Sequence, residues 1–158
     1  MKIKTKDEIK NIVHDLKREG KKIVWTNGCF DLLHVGHVRY LKEAKKLGDI
    51  LIVGINSDES VRKLKGKGRP IQTAEGRAEI LSSLEFVDYI IIFPELSVER
   101  YLIEFKPDIY VKGGDYTIDE IMNHEEGRAV KSYGGKISFV PYVKGKSSSE
   151  IIEKILTK

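Results

Sequence analysis

The sequence predicts a doubly wound α/β domain built on a parallel sheet. Three observations predict it. Short apolar runs, at 22–25, 50–55, 87–93, 108–112 and 137–140, read as buried strands, continuous rather than alternating in hydrophobicity. Stretches of helical periodicity separate them, with no internal repeat, low-complexity tract or linker. The chain has 158 residues, which suits one domain with a sizeable core.

Each element follows from local chemistry. Thr5 is placed to cap a helix running to about residue 18, with Ile9, Ile12, Val13 and Leu16 as its apolar stripe and Gly20 as its stop. We expect it to extend a core spanning residues 21–158. Val38, Leu41, Ala44 and Leu47 mark a second helix, ending at Gly48. Residues 60–68, rich in Lys and Gly, read as a loop leading to Arg69-Pro70, and a third helix is expected over 74–84. A helix over 97–105 is closed by Pro107. Thr117-x-x-Glu120 and Ser147-x-x-Glu150 have the form of capping boxes. The first opens a helix within 118–132, and the second opens a last helix carrying Ile151, Ile152 and Ile155. In such a sheet, ligands bind outside the C-terminal strand ends. The turn after the first strand, the loop after Ile55, the Lys112 turn and the loop after Val140 all lie there.

Composition narrows the class. No apolar run reaches the roughly 20 residues of a membrane span, and the first residues lack the apolar stretch of a signal peptide. The single cysteine, Cys29, leaves no internal disulfide. A cytoplasmic protein is the consistent expectation, with no membrane partner. The net charge of +4 suits anionic small molecules, and the tyrosines do not interleave with basic residues as a nucleic-acid surface would require.

The chemistry concentrates in Thr26-Asn27-Gly28-Cys29-Phe30-Asp31-Leu32-Leu33-His34-Val35-Gly36-His37. It joins a strand to a helix, where unpaired backbone N–H groups point at anything negative. Gly28 and Gly36 allow a ligand to approach the backbone. His34 and His37, three apart, are expected on one face of the first helical turn, donating to phosphate oxygens. The spacing is neither that of a dinucleotide fingerprint nor that of a P-loop. Two histidines do not make a zinc site, and His124 with Glu125 and Glu126 offers no clear third ligand, so no protein metal site is expected.

This run resembles the G-x-F-D-x-x-H-x-G-H signature of the nucleotidyltransferase superfamily, with Gly28, Phe30, Asp31, His34, Gly36 and His37 filling every fixed position. The resemblance covers about residues 20–157. It is greatest to the heptose 1-phosphate adenylyltransferase branch, through Asn56-Ser57-Asp58, Lys65-Gly66 with Arg69-Pro70, Lys112-Gly113-Gly114-Asp115-Tyr116 and Ser147-Ser148-Ser149-Glu150. It implies a Rossmann-like nucleotidyltransferase fold. It implies transfer of AMP from ATP, with Mg²⁺, to a sugar 1-phosphate, forming ADP-heptose for lipopolysaccharide or surface-layer glycans.

The resemblance also distributes roles. His34 and His37 are catalytic donors. Lys65, with Lys63 as its alternative, joins the two anions. Gly28, Cys29, Phe30, Asp31 and Gly36 line the nucleotide site, Asp31 also organising the turn, and Cys29 contributes its backbone rather than a nucleophile. Lys112, Gly113 and Asp115 lie near base and ribose, where Tyr116 contacts ligand or simply packs. The helix start at Ser147, Ser148 and Ser149 holds the leaving phosphates. Arg69 joins the acceptor side, and Arg77 reaches the acceptor or holds its own helix. Two alternatives stay within the class, an FAD synthetase and a glycerol-3-phosphate-type cytidylyltransferase. The segment Val143-Lys144-Gly145-Lys146 lacks the arginine of the latter. A non-catalytic nucleotide-binding module is the alternative outside it. The resemblance further implies a stand-alone transferase fed by a separate kinase. Many superfamily relatives are dimers, and the apolar helix faces would serve a core or a homodimer interface equally.

Overall fold

The computed structural model describes residues 1–114, 116–141 and 147–157. Thirteen elements follow in order: α1 (Lys6–Arg18), β1 (Ile23–Gly28), α2 (Val35–Lys45), β2 (Ile50–Asn56), α3 (Asp58–Lys65), α4 (Ala74–Ser82), β3 (Tyr89–Phe93), α5 (Glu99–Phe105), β4 (Ile109–Gly113), α6 (Ile118–Met122), α7 (Glu125–Ser132), β5 (Lys136–Val140) and α8 (Ser148–Leu156). The strands pair in parallel in the order β3-β2-β1-β4-β5. The chain winds outward one way from β1 and then the other, so the switch point lies between β1 and β4. Among the described residues no helix is long and apolar enough to cross a membrane.

Helices cover both faces. On one, α1, α5 and α7 pack on Trp25, Ile52, Phe93 and Tyr110, with Trp25, Tyr101 and Phe105 in ring contact. On the other, α2 and α4 bury Leu41, Ala44, Ala78 and Leu81 against Val24, Val53 and Val111. The N-terminal helix belongs to the core. Its Thr5–Glu8 capping box forms, Ile9 and Val13 are buried, and Ile3 bridges to Ile90 at the sheet edge.

The boundaries correct the sequence reading in four places. β1 runs to Gly28, past the apolar run, because Thr26, Asn27 and Gly28 pair in register with Val53, Gly54 and Ile55. The expected 60–68 loop is largely helical. Ser57 accepts from the Ser60 N–H, Asp58 and Glu59 fill the first turn, and Arg62, Lys63 and Lys65 fill the last, all complementing the helix dipole. The 118–132 region is two helices, because His124 restarts the chain after Asn123 caps α6. β3 begins at Tyr89 rather than 87.

The α6–α7 corner depends on Gly127, where a Cβ would overlap the Ile121 carbonyl. That carbonyl is backbone and cannot rotate aside. Gly127→Ala is therefore expected to destabilise the fold by about 1–3 kcal/mol, the usual scale of overpacking. A urea melt checks it, with an unchanged midpoint removing the contact from the account.

Candidate active site

The signature turn leaves β1 and enters α2 at the switch point. His34 is the N-cap of α2: its Nδ1 accepts from the Gly36 N–H at 3.1 Å. A neutral His34 therefore carries its proton on Nε2. Gly36 spends its N–H on this cap rather than on a ligand. His37 stacks on His34, ring centroids 3.9 Å apart and planes 27° from parallel. The edge of Phe30 meets His37 at 5.2 Å.

Phe30 thus acts on the site through His37. It is buried rather than exposed as a nucleotide contact, and it holds a left-handed φ of 48°. That conformation costs on the order of 1 kcal/mol for a non-glycine residue. The space it needs comes from Gly28, where a Cβ would stand 3.1 Å from the Phe30 ring.

Burial, and then the charge of His34, push the pKa of His37 down to about 4, against a weaker upward pull from the Leu32 carbonyl. His37 is thus a neutral imidazole near pH 7. Its Nδ1 is buried and has no hydrogen-bond partner among the described residues. Burial likewise pushes the Cys29 thiol up, with Lys65 and Arg77 offsetting this only in part. The thiol is not primed as a nucleophile.

Two charged residues tie this turn to the segment after β2. Asp31, 2% exposed, accepts from Arg69 Nε at 2.6 Å, from Ile71 N at 2.8 Å and from Gln72 N at 3.0 Å. Burial alone would raise its pKa, but those donors outweigh it and hold the carboxyl below its ordinary range. Asp31 is the turn-organising residue. The nucleotide-contact role expected for it does not fit a carboxylate already engaged by three donors. Arg69 is engaged at Nε by the same pair. Arg77 is 1% exposed, and donates to the Cys29 carbonyl at 2.5 Å, to Asp58 at 2.8 Å and to the Gln72 carbonyl at 3.1 Å. These bonds hold α4 to the signature turn and to the start of α3, in line with the holding role among the two expected for Arg77.

The remaining cations divide. Lys63 pairs with Glu59 across one exposed helical turn at 2.6 Å. Lys65, at the C-terminal end of α3, is exposed, has no ion-pair partner among the described residues, and bears on Cys29. Lys112 and Gly113 end β4, with the Lys112 ammonium 5.4 Å from the Tyr116 ring centroid. α8 starts against the signature turn. Ser147 caps it with Glu150, Ser148 Oγ donates to the Leu32 carbonyl at 3.2 Å, and Ser149 lines a cavity of about 380 Å³ with Arg69 and Ile152. Asp115, expected near the ribose, and residues 143–146 lie outside the described residues. His34, His37, Lys65, Lys112 and the α8 start thus converge on the C-terminal edge of the sheet.

With this geometry in view, the comparisons are direct. The cytidylyltransferase-like family model matches residues 25–154. The chain belongs to that family. It is 47% identical over 155 residues to bifunctional protein HldE of Geobacter sulfurreducens and 50% identical over 155 to that of Geobacter metallireducens. Each match covers 98% of this chain and 31% of the relative, so the chain spans about a third of the length of these proteins. Among solved structures it is similar to a lipopolysaccharide core biosynthesis protein from Thermoplasma volcanium, at 35% identity and a TM-score of 0.65, covering 80% of this chain and all of that one. A pantoate-beta-alanine ligase from Francisella tularensis shares the fold, at a TM-score of 0.61 and 17% identity.

The low pKa of His37 has a consequence for stability. An unfolded chain binds a proton on this ring below about pH 6.5, and the folded one only below about 4. Unfolding therefore takes up a proton between those values, and stability falls as pH drops through that window. His37→Gln should remove part of this slope, at most about 1.4 kcal/mol per pH unit. Urea melts from pH 7 to 4 check it, and identical slopes in both proteins contradict it.

Proposed function

We propose that this chain is an adenylyltransferase that transfers AMP from ATP to a sugar 1-phosphate, heptose 1-phosphate, forming ADP-heptose and releasing pyrophosphate in the cytoplasm. The observation that carries the reading is the stacked His34–His37 pair, with His37 neutral near pH 7, on the same sheet edge as Lys65 and the start of α8. The resemblance to the heptose 1-phosphate adenylyltransferase branch supplies the acceptor. The HldE relatives are named bifunctional, and this chain aligns with one third of their length.

The mechanism follows from charge. An oxygen of the acceptor phosphate attacks the α-phosphorus of ATP, the bond from that phosphorus to the β-bridging oxygen breaks, and pyrophosphate leaves with the electron pair. A phosphate monoester is already ionised near pH 7, so no strong base is required. The site has to bring two anions together and stabilise charge developing on the α-phosphoryl oxygens. Lys65 offsets their repulsion. His34 Nε2–H and the neutral His37 donate to the α-phosphoryl oxygens without a charge to desolvate. The N–H groups of α8 and the Ser149 hydroxyl receive the leaving phosphates. Among the described residues no cluster of three His, Cys, Asp or Glu side chains is placed to cage a metal, and Asp31 is engaged elsewhere. Mg²⁺ bound to ATP would neutralise part of the phosphate charge and would need few protein ligands.

Pyrophosphate release in the presence of Mg²⁺ tests the reading, crossing ATP and CTP with heptose 1-phosphate, glycerol 3-phosphate and FMN. Release with ATP and heptose 1-phosphate alone is expected. Release only with CTP and glycerol 3-phosphate, or only with ATP and FMN, moves the protein to another branch. Nucleotide binding without turnover on any pair makes it a non-catalytic module. His37→Ala should lower kcat by at least about 10³-fold with the thermal midpoint nearly unchanged. Ser148→Ala, which frees only the tie to Leu32, should lower it by about tenfold or less.

A further inference from the structure

On the β2 side of the signature turn, a set of polar side chains has no part in the chemistry above. Asn27 and Asn56 end β1 and β2 on the same sheet face as Trp25. The register pairs Asn27 with Gly54, and Asn56 follows two residues on. Both amides are held in place by neighbouring side chains. Trp25 Nε1 donates to Asn27 Oδ1 at 3.3 Å, which turns the Asn27 Nδ2 group away from the indole. Among the described residues that group has no protein acceptor, although Asn27 is half-buried. Asn56, 4% exposed, donates through Nδ2 to Ser60 Oγ at 2.9 Å, and Ser60 Oγ donates on to the Glu95 carbonyl at 3.0 Å. Asn56 Oδ1 accepts from Cys29 Sγ at 4.0 Å, which leaves its second lone pair for a ligand. The Glu95 carboxylate takes the Tyr101 hydroxyl at 2.9 Å on Oε2, and its other oxygen has only the mostly exposed Arg100, 3.9 Å distant.

We infer that Asn27, Asn56 and Glu95 form the hydroxyl-reading subsite for the sugar body of the acceptor. The geometry presents one fixed amide donor, one fixed amide acceptor and one fixed carboxylate acceptor. That set matches neighbouring sugar hydroxyls, each of which donates and accepts. Cys29 joins the subsite to the signature turn, and Lys65 lies close enough to bear on Cys29. An acceptor phosphate held by Lys65 and facing the histidines therefore places its sugar over these residues. The Glu95 carboxylate, whose ion pair with Arg100 is long and mostly exposed, disfavours a second anionic group in the same place. The acceptor class is thus a neutral polyhydroxylated ring carrying a single phosphate. This inference rests on the proposed reaction for the direction of the phosphate, but binding tests it without turnover.

Calorimetry with a non-hydrolysable ATP analogue bound would compare heptose 1-phosphate and mannose 1-phosphate with inorganic phosphate. The wild type should bind the sugar phosphates at least about tenfold more tightly than phosphate, the scale of one or two such hydrogen bonds. Asn27→Asp keeps the Trp25 tie but replaces the donor, and Glu95→Gln keeps the Tyr101 tie but removes the charge. Each should cut that advantage about tenfold, leaving phosphate and the ATP analogue bound as before. Equal binding of sugar phosphates and phosphate by the wild type overturns the inference, as does an undiminished advantage in both variants. A loss of analogue binding in both variants overturns it as well, since the residues then serve the nucleotide or the fold. A sugar-phosphate advantage without pyrophosphate release contradicts the proposed reaction and leaves this subsite standing.

Discussion

The site hangs on the buried carboxylate of Asp31. Its oxygens gather Arg69 and two backbone N–H groups from the segment that follows α3. Burying an unpaired carboxylate costs several kcal/mol, so the segment cannot drift from the turn without exposing that penalty. The Arg77 guanidinium repeats the tie from the opposite direction, reaching the Cys29 carbonyl from α4 and Asp58 at the start of α3. Between them, the two ties hold Lys65 and the stacked imidazoles on one frame. A strand–turn–helix alone would not do so, since α3 belongs to the next crossover.

The frame explains why polar groups this close together remain useful. His34 is fixed through Nδ1 by its own helix, and His37 is wedged between that ring and Phe30. Neither ring has to reorganise when charge develops before it. Preorganised donors in a partly buried site are worth more than mobile ones in water. On the proposed reading, positive charge for the anions comes from exposed Lys65 and half-buried Lys112.

Much of this was legible in the sequence, and what was not has physical reasons. The alternation of apolar runs with helical periodicity predicts the parallel sheet, and both Thr-x-x-Glu and Ser-x-x-Glu boxes cap the helices they mark. The signature places the histidines at the helix start. It does not reveal that His34 is the cap, because histidine is not among the usual capping residues. The 58–65 helix was masked by its lysines and the glycines after it, although Ser57 with Asp58 and Glu59 carried a start signal. The burial of Arg77 depends on carbonyls and a carboxylate from three separate segments, and no local pattern encodes such convergence. Nothing in the local pattern marks Asn27, since its orientation rests on the register of β1 against β2 and on an indole two residues away.

The central claim is that two stacked imidazoles, His37 of them neutral, present fixed N–H donors to the nucleotide. Nitrogen-15 NMR of histidine-labelled protein at pH 7 tests it most directly. The account predicts His34 with its proton on Nε2 and Nδ1 bare, His37 uncharged, and both rings shifted when ATP is added with Mg²⁺. Two imidazolium rings at pH 7 in the free protein, or rings unmoved by saturating ATP, would contradict it.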